Sequence, residues 1–472
     1  MKKLDFRTVY AIVVFLALAC FDFMILGLFP PLFHSISLDL NVHISSLGFV
    51  LALNIFVTSV SAVIWGYLAG KYNRKWLIMI GTILWSISVF LTSKSSSYSQ
   101  LVIFQVITGL GLGCISSIGY SMLSDIVPHK LRGTILSLWG ISQGFGSIAG
   151  ALLASIVATS TNNWRVPFEI VSIIGLGLIL LYIFVKEPAK GASDPELHYV
   201  FEGGYDYDYT LEMDSVRKLL KKRSNIYLFL EAFFYNIPTG TLIWLPTLYL
   251  SKIMQQGYST NTAIIASGFF YALFQVGGLT ATLIGYYGDK LQRESLRARA
   301  RFASVFMFLA IPAYIAMYFI PMKNLKLPTD GNSMSILFGM LHQIVLNPWV
   351  GGIFALSIIA CQALSSNGAN WIALITDVNL PEDRATAYSL GNLANGLGRT
   401  IGNAVFSFML AAISMHVASP LNYEWTLTIF QLFFLPAGFL YLWMSKHNKR
   451  DIISVKSTLR MRAKKFVDKP KN

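Results

Sequence analysis

Charge is scarce in this 472-residue chain: only 13% of residues are Asp, Glu, Lys or Arg, against 54% hydrophobic. A soluble protein of this length carries a far more charged surface, so an aqueous globular domain is excluded. Cysteine is scarcer still. Cys20, Cys114 and Cys361 stand isolated within apolar runs, which makes neither a disulfide framework nor a metal site and leaves them as small core residues. No Gly-rich phosphate loop ends in Gly-Lys-Ser/Thr, no His-Glu-x-x-His occurs, and the seven His are scattered. ATP-driven transport, enzymatic chemistry and any cofactor are therefore not expected. Lys2 and Lys3 resemble the head of a secretory leader, but the apolar run behind them is too long and lacks a small-residue cleavage site, so no cleaved leader is expected.

What the chain has in abundance is long apolar runs. Runs of about 20 residues or more, each able to cross a bilayer as a helix, fall roughly at 8–32, 45–70, 75–93, 98–124, 132–158 and 165–186. A second set falls near 225–251, 260–288, 300–320, 349–376, 384–414 and 424–445. Their continuity, without the ten-residue alternation of barrel strands, predicts an all-α membrane protein of 12 transmembrane helices in two groups of six. The expected divisions are a half at 1–186, a cytoplasmic linker at 187–224, a second half at 225–446 and a basic tail at 447–472. Within the linker, 198–209 reads as a small hairpin about Gly203-Gly204, and Val216 to Arg223 as a basic amphipathic helix on the inner leaflet.

The net charge of +14 suggests nucleic acid, but its location refutes that reading. Lys and Arg gather before the first run, after the second, fourth, eighth and tenth, in the linker and in the tail. Elsewhere stand only Lys94, Arg165, Lys252, Lys323, Lys326 and Arg399. Such alternation places both termini in the cytoplasm of a multi-pass protein, most simply in the plasma (inner) membrane, with basic flanks touching lipid headgroups.

Residues Asp125 to Gly150 recur without a gap at Asp377 to Gly402, 252 positions later. Asp125 matches Asp377, Arg132 matches Arg384, and Gly144, Gly146 and Gly150 match Gly396, Gly398 and Gly402. Duplicated membrane halves around a midplane site are the architecture of secondary transporters. The second half carries about 33 extra residues, expected on the external side at 321–348, where Pro328 to Gly331 signals a turn and Ser335 to Leu346 an amphipathic helix.

Between the second and third runs stands Gly66-Tyr-Leu-Ala-Gly70-Lys71-Tyr-Asn-Arg74-Lys75, and between the eighth and ninth Gly285-Tyr-Tyr-Gly-Asp289-Lys290-Leu-Gln-Arg293. These resemble the signature loop of the major facilitator superfamily, Gly-x-x-x-Asp-Arg/Lys with further basic residues; Gly70 stands where the first copy's Asp is expected. A narrower resemblance is to the Spinster-like branch, through Gly66–Lys75, Glu187-Pro188-x-Lys190-Gly191 and Pro195-Glu196-Leu197. That branch implies export or exchange of lysophospholipid-like or sphingosine-phosphate-like amphiphiles, proton-coupled in some members. Its implied working residues are an Asp-Arg pair in the first span and an Arg-x-x-x-Gly-x-Gly-Glu run in the fourth. Here Asp22, Gly111 and Gly113 match, while Phe23, Ile107 and Cys114 replace the other charged positions.

Three charged residues remain within spans. Asp22 lies near mid-depth, where an ionised, unpaired carboxylate costs several kcal/mol. It reads either as a proton-coupling group or as a polar residue bonded to a neighbouring helix. Glu231 lies a turn or two inside the seventh span, a second proton-coupling candidate or a side chain snorkelling toward Arg223. Arg399, in the middle of the eleventh span, must find an anion: Asp22, Glu231 or a substrate phosphate or carboxylate. Packing among its own helix neighbours is the structural alternative. Asn54, Gln143, Asn236, Gln275, Asn367, Asn370 and Asn395 are expected to line a substrate cavity or to act as interhelical glue. The prolines Pro30, Pro31, Pro238 and Pro246 can kink the first and seventh spans.

The resulting expectation is a monomeric secondary transporter, proton-coupled and working by alternating access on an amphiphilic or anionic small molecule. Small organic anions or drugs are the alternative cargo, and a non-transporting receptor is the alternative role.

Overall fold

Length alone decides much of the architecture, because a 30 Å hydrocarbon slab takes about 20 helical residues to cross. The structure, a computed structural model, describes residues 5–127, 132–188, 217, 219–274, 276–277, 281–328, 332–379 and 381–467. The expected linker hairpin at 198–209 and residues 329–331 of the expected turn lie outside them. All regular structure among the described residues is helical.

In chain order the helices are α1 (Phe6–Asp39), α2 (Ile44–Lys71), α3 (Arg74–Ser93) and α4 (Tyr98–Cys114), which passes through a π turn (Ile115–Gly119) into α5 (Tyr120–Ile126). Then come α6 (Arg132–Thr161), α7 (Val166–Tyr182), α8 (Arg223–Thr241), α9 (Leu245–Met254), α10 (Thr260–Phe274), α11 (Ala281–Glu294) and α12 (Ala298–Phe319). The last are α13 (Ser333–Leu346), α14 (Pro348–Val378), α15 (Pro381–Ser414), α16 (Leu421–Gln431) and α17 (Phe434–Val467). Among the described residues ten continuous segments are long and apolar enough to cross a membrane, and α7, α10 and α13 are shorter apolar helices.

Starts and breaks follow side-chain chemistry. Asn73 Oδ1 accepts from Trp76 N at 3.2 Å to cap α3, and Asn332 Oδ1 accepts from Ser335 N at 2.9 Å to cap α13. Pro246 has no N–H to give, and just before it α8 tightens into a 3-10 turn (Leu242–Trp244) from which α9 restarts. Pro30 and Pro31 instead lie within an uninterrupted α1. The apolar run at 260–288 holds two helices, α10 and α11, with Val276 and Gly277 between them in 3-10 form.

The repeated glycines explain which helices pair. A Cβ on Gly146 would run into the Cys20 carbonyl oxygen, and one on Gly150 into that of Met24, so α6 lies directly on α1. In the second copy Gly398 and Gly402 do the same against the Phe233 and Ile237 carbonyls, seating α15 on α8. Small residues let backbones touch where the lipid supplies no hydrophobic drive. The two sets meet where α2 packs on α15 and α6 on α10: Gly396 abuts Ser59, and Gly268 abuts Ser155.

Candidate functional site

A buried polar group lies on the second set of helices. On α8, Glu231, Tyr235 and Asn236 are spaced to share roughly one face. Asn367 of α14, Asn395 and Arg399 of α15 and Tyr441 of α17 converge on that face. Glu231 is 0% exposed, so the sequence alternative of a side chain snorkelling to Arg223 does not hold; Arg223 instead approaches His447, at 3.5 Å. The Glu231 carboxylate lies beside Tyr441 and Asn367, and the Tyr441 hydroxyl donates to Asn367 Oδ1. Neither carboxylate oxygen completes a hydrogen bond of regular geometry.

One turn along α8, the Tyr235 hydroxyl donates to the Leu364 carbonyl at 3.0 Å and lies within the fields of both Glu231 and Arg399. Asn236 Nδ2 donates to Asn395 Oδ1 at 2.7 Å, while its Oδ1 accepts from Arg399 Nη2 at 3.3 Å. Tyr235 and Tyr271 lie within the field of the guanidinium. Arg399 is half-buried and, among the described residues, forms no ion pair with either Asp22 or Glu231. A guanidinium carries five donors, and the one side-chain bond to Asn236 leaves most of them for another acceptor.

Asp22 is a separate feature. It is 5% exposed on α1, near Cys114 where α4 enters the π turn. π turns recur at functional sites.

The structure distributes the other sequence candidates unequally. Asn54 is helix glue: its Nδ2 donates to Gln105 O at 2.9 Å and to Gln105 Oε1 at 3.1 Å, tying α2 to α4. Asn370 donates to Ser366 O at 2.8 Å and packs against Gly288 between α14 and α11. Gln143 is half-buried on α6, and Gln275 lies outside the described residues. The run Gly140-Ile-Ser142-Gln-Gly144 has the spacing of a hydrolase nucleophile elbow, yet it lies inside unbroken α6, where Ser142 Oγ bonds Trp139 O at 2.7 Å.

The signature loops form a charge network at one end. Arg74 Nη1 reaches Asp125 Oδ2 at 2.6 Å, its Nε reaches Glu187 Oε1 at 3.3 Å, and Nη2 donates to Pro188 O at 2.8 Å. Glu187 also accepts from Arg74 N at 3.0 Å, capping α3. In the second copy Gln292 Nε2 donates to Asp377 Oδ2 at 3.2 Å, and Arg299 N to Gln292 Oε1 at 3.4 Å. Gly66, Lys71, Lys290 and Arg293 are exposed. Gly285, Asp289, Arg132 and Arg384 fall on α11, α6 and α15, with their side chains outside the description.

Sequence reasoning missed three features. Lys252, expected in an external loop, is 4% exposed and pairs with Glu424 at 2.8 Å, also donating to Tyr318 O and Ile320 O. Trp244 is buried where the two sets of helices meet. A cavity of about 610 Å³ opens beyond it, lined by residues such as His34, His43, Met254 and Tyr423. Tyr235 and Tyr441 were passed over because a tyrosine in an apolar run has no spacing signature.

Known proteins match this geometry. The family model of the Major Facilitator Superfamily matches residues 14–369. Protein spinster of Drosophila melanogaster is 24% identical over 81% of this chain and 58% of its own length. Protein spinster homolog 3 of Danio rerio is 25% identical over 66% of the chain and 65% of its length. The sphingosine-1-phosphate transporter SPNS2 of Danio rerio is 27% identical over 59% and 56%. The chain thus spans under two thirds of these relatives. Among solved structures, a bacterial homolog of the human lysosomal transporter Spinster, inward-facing and unoccupied, superposes with TM-score 0.69 at 18% identity, covering 95% of this chain and 98% of that one. A D-xylose-proton symporter superposes with TM-score 0.63 at 17% identity, covering 93% and 97%.

Proposed function

This chain belongs to the Major Facilitator Superfamily, and from that premise we propose that it is a proton-coupled secondary transporter of an anionic amphiphile, lysophospholipid-like in shape. Its two six-helix halves, residues 1–186 and 225–446, rock about a central site as a monomer in the plasma (inner) membrane. Both termini and the 187–224 linker face the cytoplasm, a placement the distribution of Lys and Arg supports.

The observation that carries the reading is Arg399: a guanidinium within an apolar span, half-buried, within the field of Tyr235 and Tyr271 and, among the described residues, bonded by its side chain only to a neutral amide. A cation held this way within a membrane is completed by an anion that comes and goes. Asp22 and Glu231, carboxylates without a cationic partner among the described residues, are the proton carriers. The relatives named as sphingosine-1-phosphate transporters support a phosphate-bearing lipid as cargo.

Purified protein in liposomes under an imposed pH gradient tests this. Internal pH is followed as lysophospholipids, then small organic anions, are added. A proton flux evoked by lysolipids and lost in Asp22→Asn supports the proposal. Coupled flux unchanged by both Asp22→Asn and Glu231→Gln removes the proton role, and flux with small anions alone replaces the lipid cargo by the hydrophilic one.

A further inference from the structure

At the end away from the termini the two halves meet in a tight seat. Gly48 of α2 presents bare backbone to the second half, and its carbonyl accepts from Asn403 Nδ2 at 2.6 Å. The other end of that amide, Asn403 Oδ1, accepts from Trp244 Nε1 at 3.1 Å. Trp244 is 0% exposed, at the 3-10 break between α8 and α9. Its ring stands 4.9 Å from Phe33 of α1 and 5.2 Å from Phe406 of α15. Any Cβ at position 48 would collide with the Trp244 ring and with Ser407 Oγ. One amide therefore fastens an indole from one half into a socket that only glycine leaves open in the other.

Position gives the seat its meaning. Asn403 lies one helical turn beyond Arg399 on α15. On the far side, Trp244 stands 6.4 Å from Tyr423, which lines the 610 Å³ cavity. The seat therefore separates that cavity from the Arg399 cluster.

We infer that Gly48, Asn403 and Trp244 are the outer gate of this chain: Trp244 seated on Gly48 and latched by Asn403 seals the central site from outside, and unseating it opens the outer path. The inference rests on the alternating-access reading above. The gate opens by losing two hydrogen bonds and one aromatic seat, without breaking an ion pair. Gly48 and Asn403 act through Trp244 and are positioning residues.

The test is a distance measured across the outer end. Spin labels are attached at Leu38→Cys and Leu421→Cys, outer positions 69% and 49% exposed on opposite halves. The chain carries Cys20→Ala, Cys114→Ala and Cys361→Ala and is reconstituted in liposomes. The background shows mainly the short distance. Gly48→Ala and Asn403→Leu, which disturb different atoms of the same seat, each raise the longer-distance population at least twofold. If either variant folds and keeps the background distribution, the gate assignment is overturned; should Gly48→Ala fail to fold, Asn403→Leu decides alone. A longer-distance population in a chain that carries no cargo across the liposome upholds the gate and overturns the transport reading instead.

Discussion

Arg74 holds three acceptors at once, on α5, on the segment after α7 and on its own capping partner Glu187. Its side chain is 3% exposed and that of Asp125 10%. Arg74→Ala takes the guanidinium away from Asp125 and Glu187 together, and the loss of one partner of a buried pair costs about 3–5 kcal/mol. A large fall in Tm of the purified protein is expected; an unchanged Tm would show the network to be solvated. From the sequence, Gly70 marked a missing charge in the first signature loop. The structure answers with Asp125 and Glu187, whose contact with Arg74 crosses 51 and 113 residues. Arg399 is the opposite case: its need for an anion was legible in the sequence, but not its shell of Tyr235, Asn236 and Tyr271, because these come from two other helices distant in the chain. Replacing Arg399 by Ala should abolish binding of an anionic cargo, and Lys should weaken it at least tenfold, since an ammonium lacks the planar fork. Equal affinity in both variants, measured by ligand-induced thermal shift, would make Arg399 structural.

Among elements, the repeat visible in the sequence turns out to be a rule about helix contact. Gly144, Gly146 and Gly150 look equivalent as letters, yet only the last two press on α1, while a Cβ at Gly144 would meet nothing within 4 Å. Two substitutions in the same helix should therefore have opposite signs. Gly144→Ala should be neutral or stabilise by up to about 1 kcal/mol through helix propensity. Gly146→Ala forces α6 off the Cys20 carbonyl and should destabilise by about 1–3 kcal/mol. Thermal unfolding of both variants in one detergent settles the contrast, and equal Tm values would refute the contact. Helix boundaries were less legible than helix partners. The 3-10 stretch at 276–277 lies inside the apolar run 260–288, where hydropathy gives no warning.

At the scale of the whole molecule, the pair Lys252–Glu424 links residues 172 positions apart in sequence. It fastens α9 to α16 and, through the Tyr318 and Ile320 carbonyls, to the end of α12. Reading along the chain placed Lys252 in a loop because its neighbours end a span; which charge lies beside it is a property of the assembled bundle alone. Lys252→Met, leaving Glu424 buried and unpaired, should cost about 3–5 kcal/mol. Lys252→Met with Glu424→Leu should recover most of that, and failure of the double variant to recover would show that the pair is not the source of the loss. The proposed orientation has its own check. An epitope appended after Asn472 should be shielded from protease in right-side-out vesicles, and digestion there would invert the topology.

The π turn at Ile115–Gly119 gives the fourth span one residue more than an α-helix of the same rise would hold. Each α-helical residue rotates the chain by about 100°, so everything beyond the turn is dialled round by that amount. Asp125 follows it and arrives facing Arg74. The turn thus sets the phase of the ion pair at one end of the helix from a point beside Asp22 at its middle. Deleting Ser117 would return the span to regular period and swing Asp125 out of reach, uncoupling the latch with every one of its charges still in place.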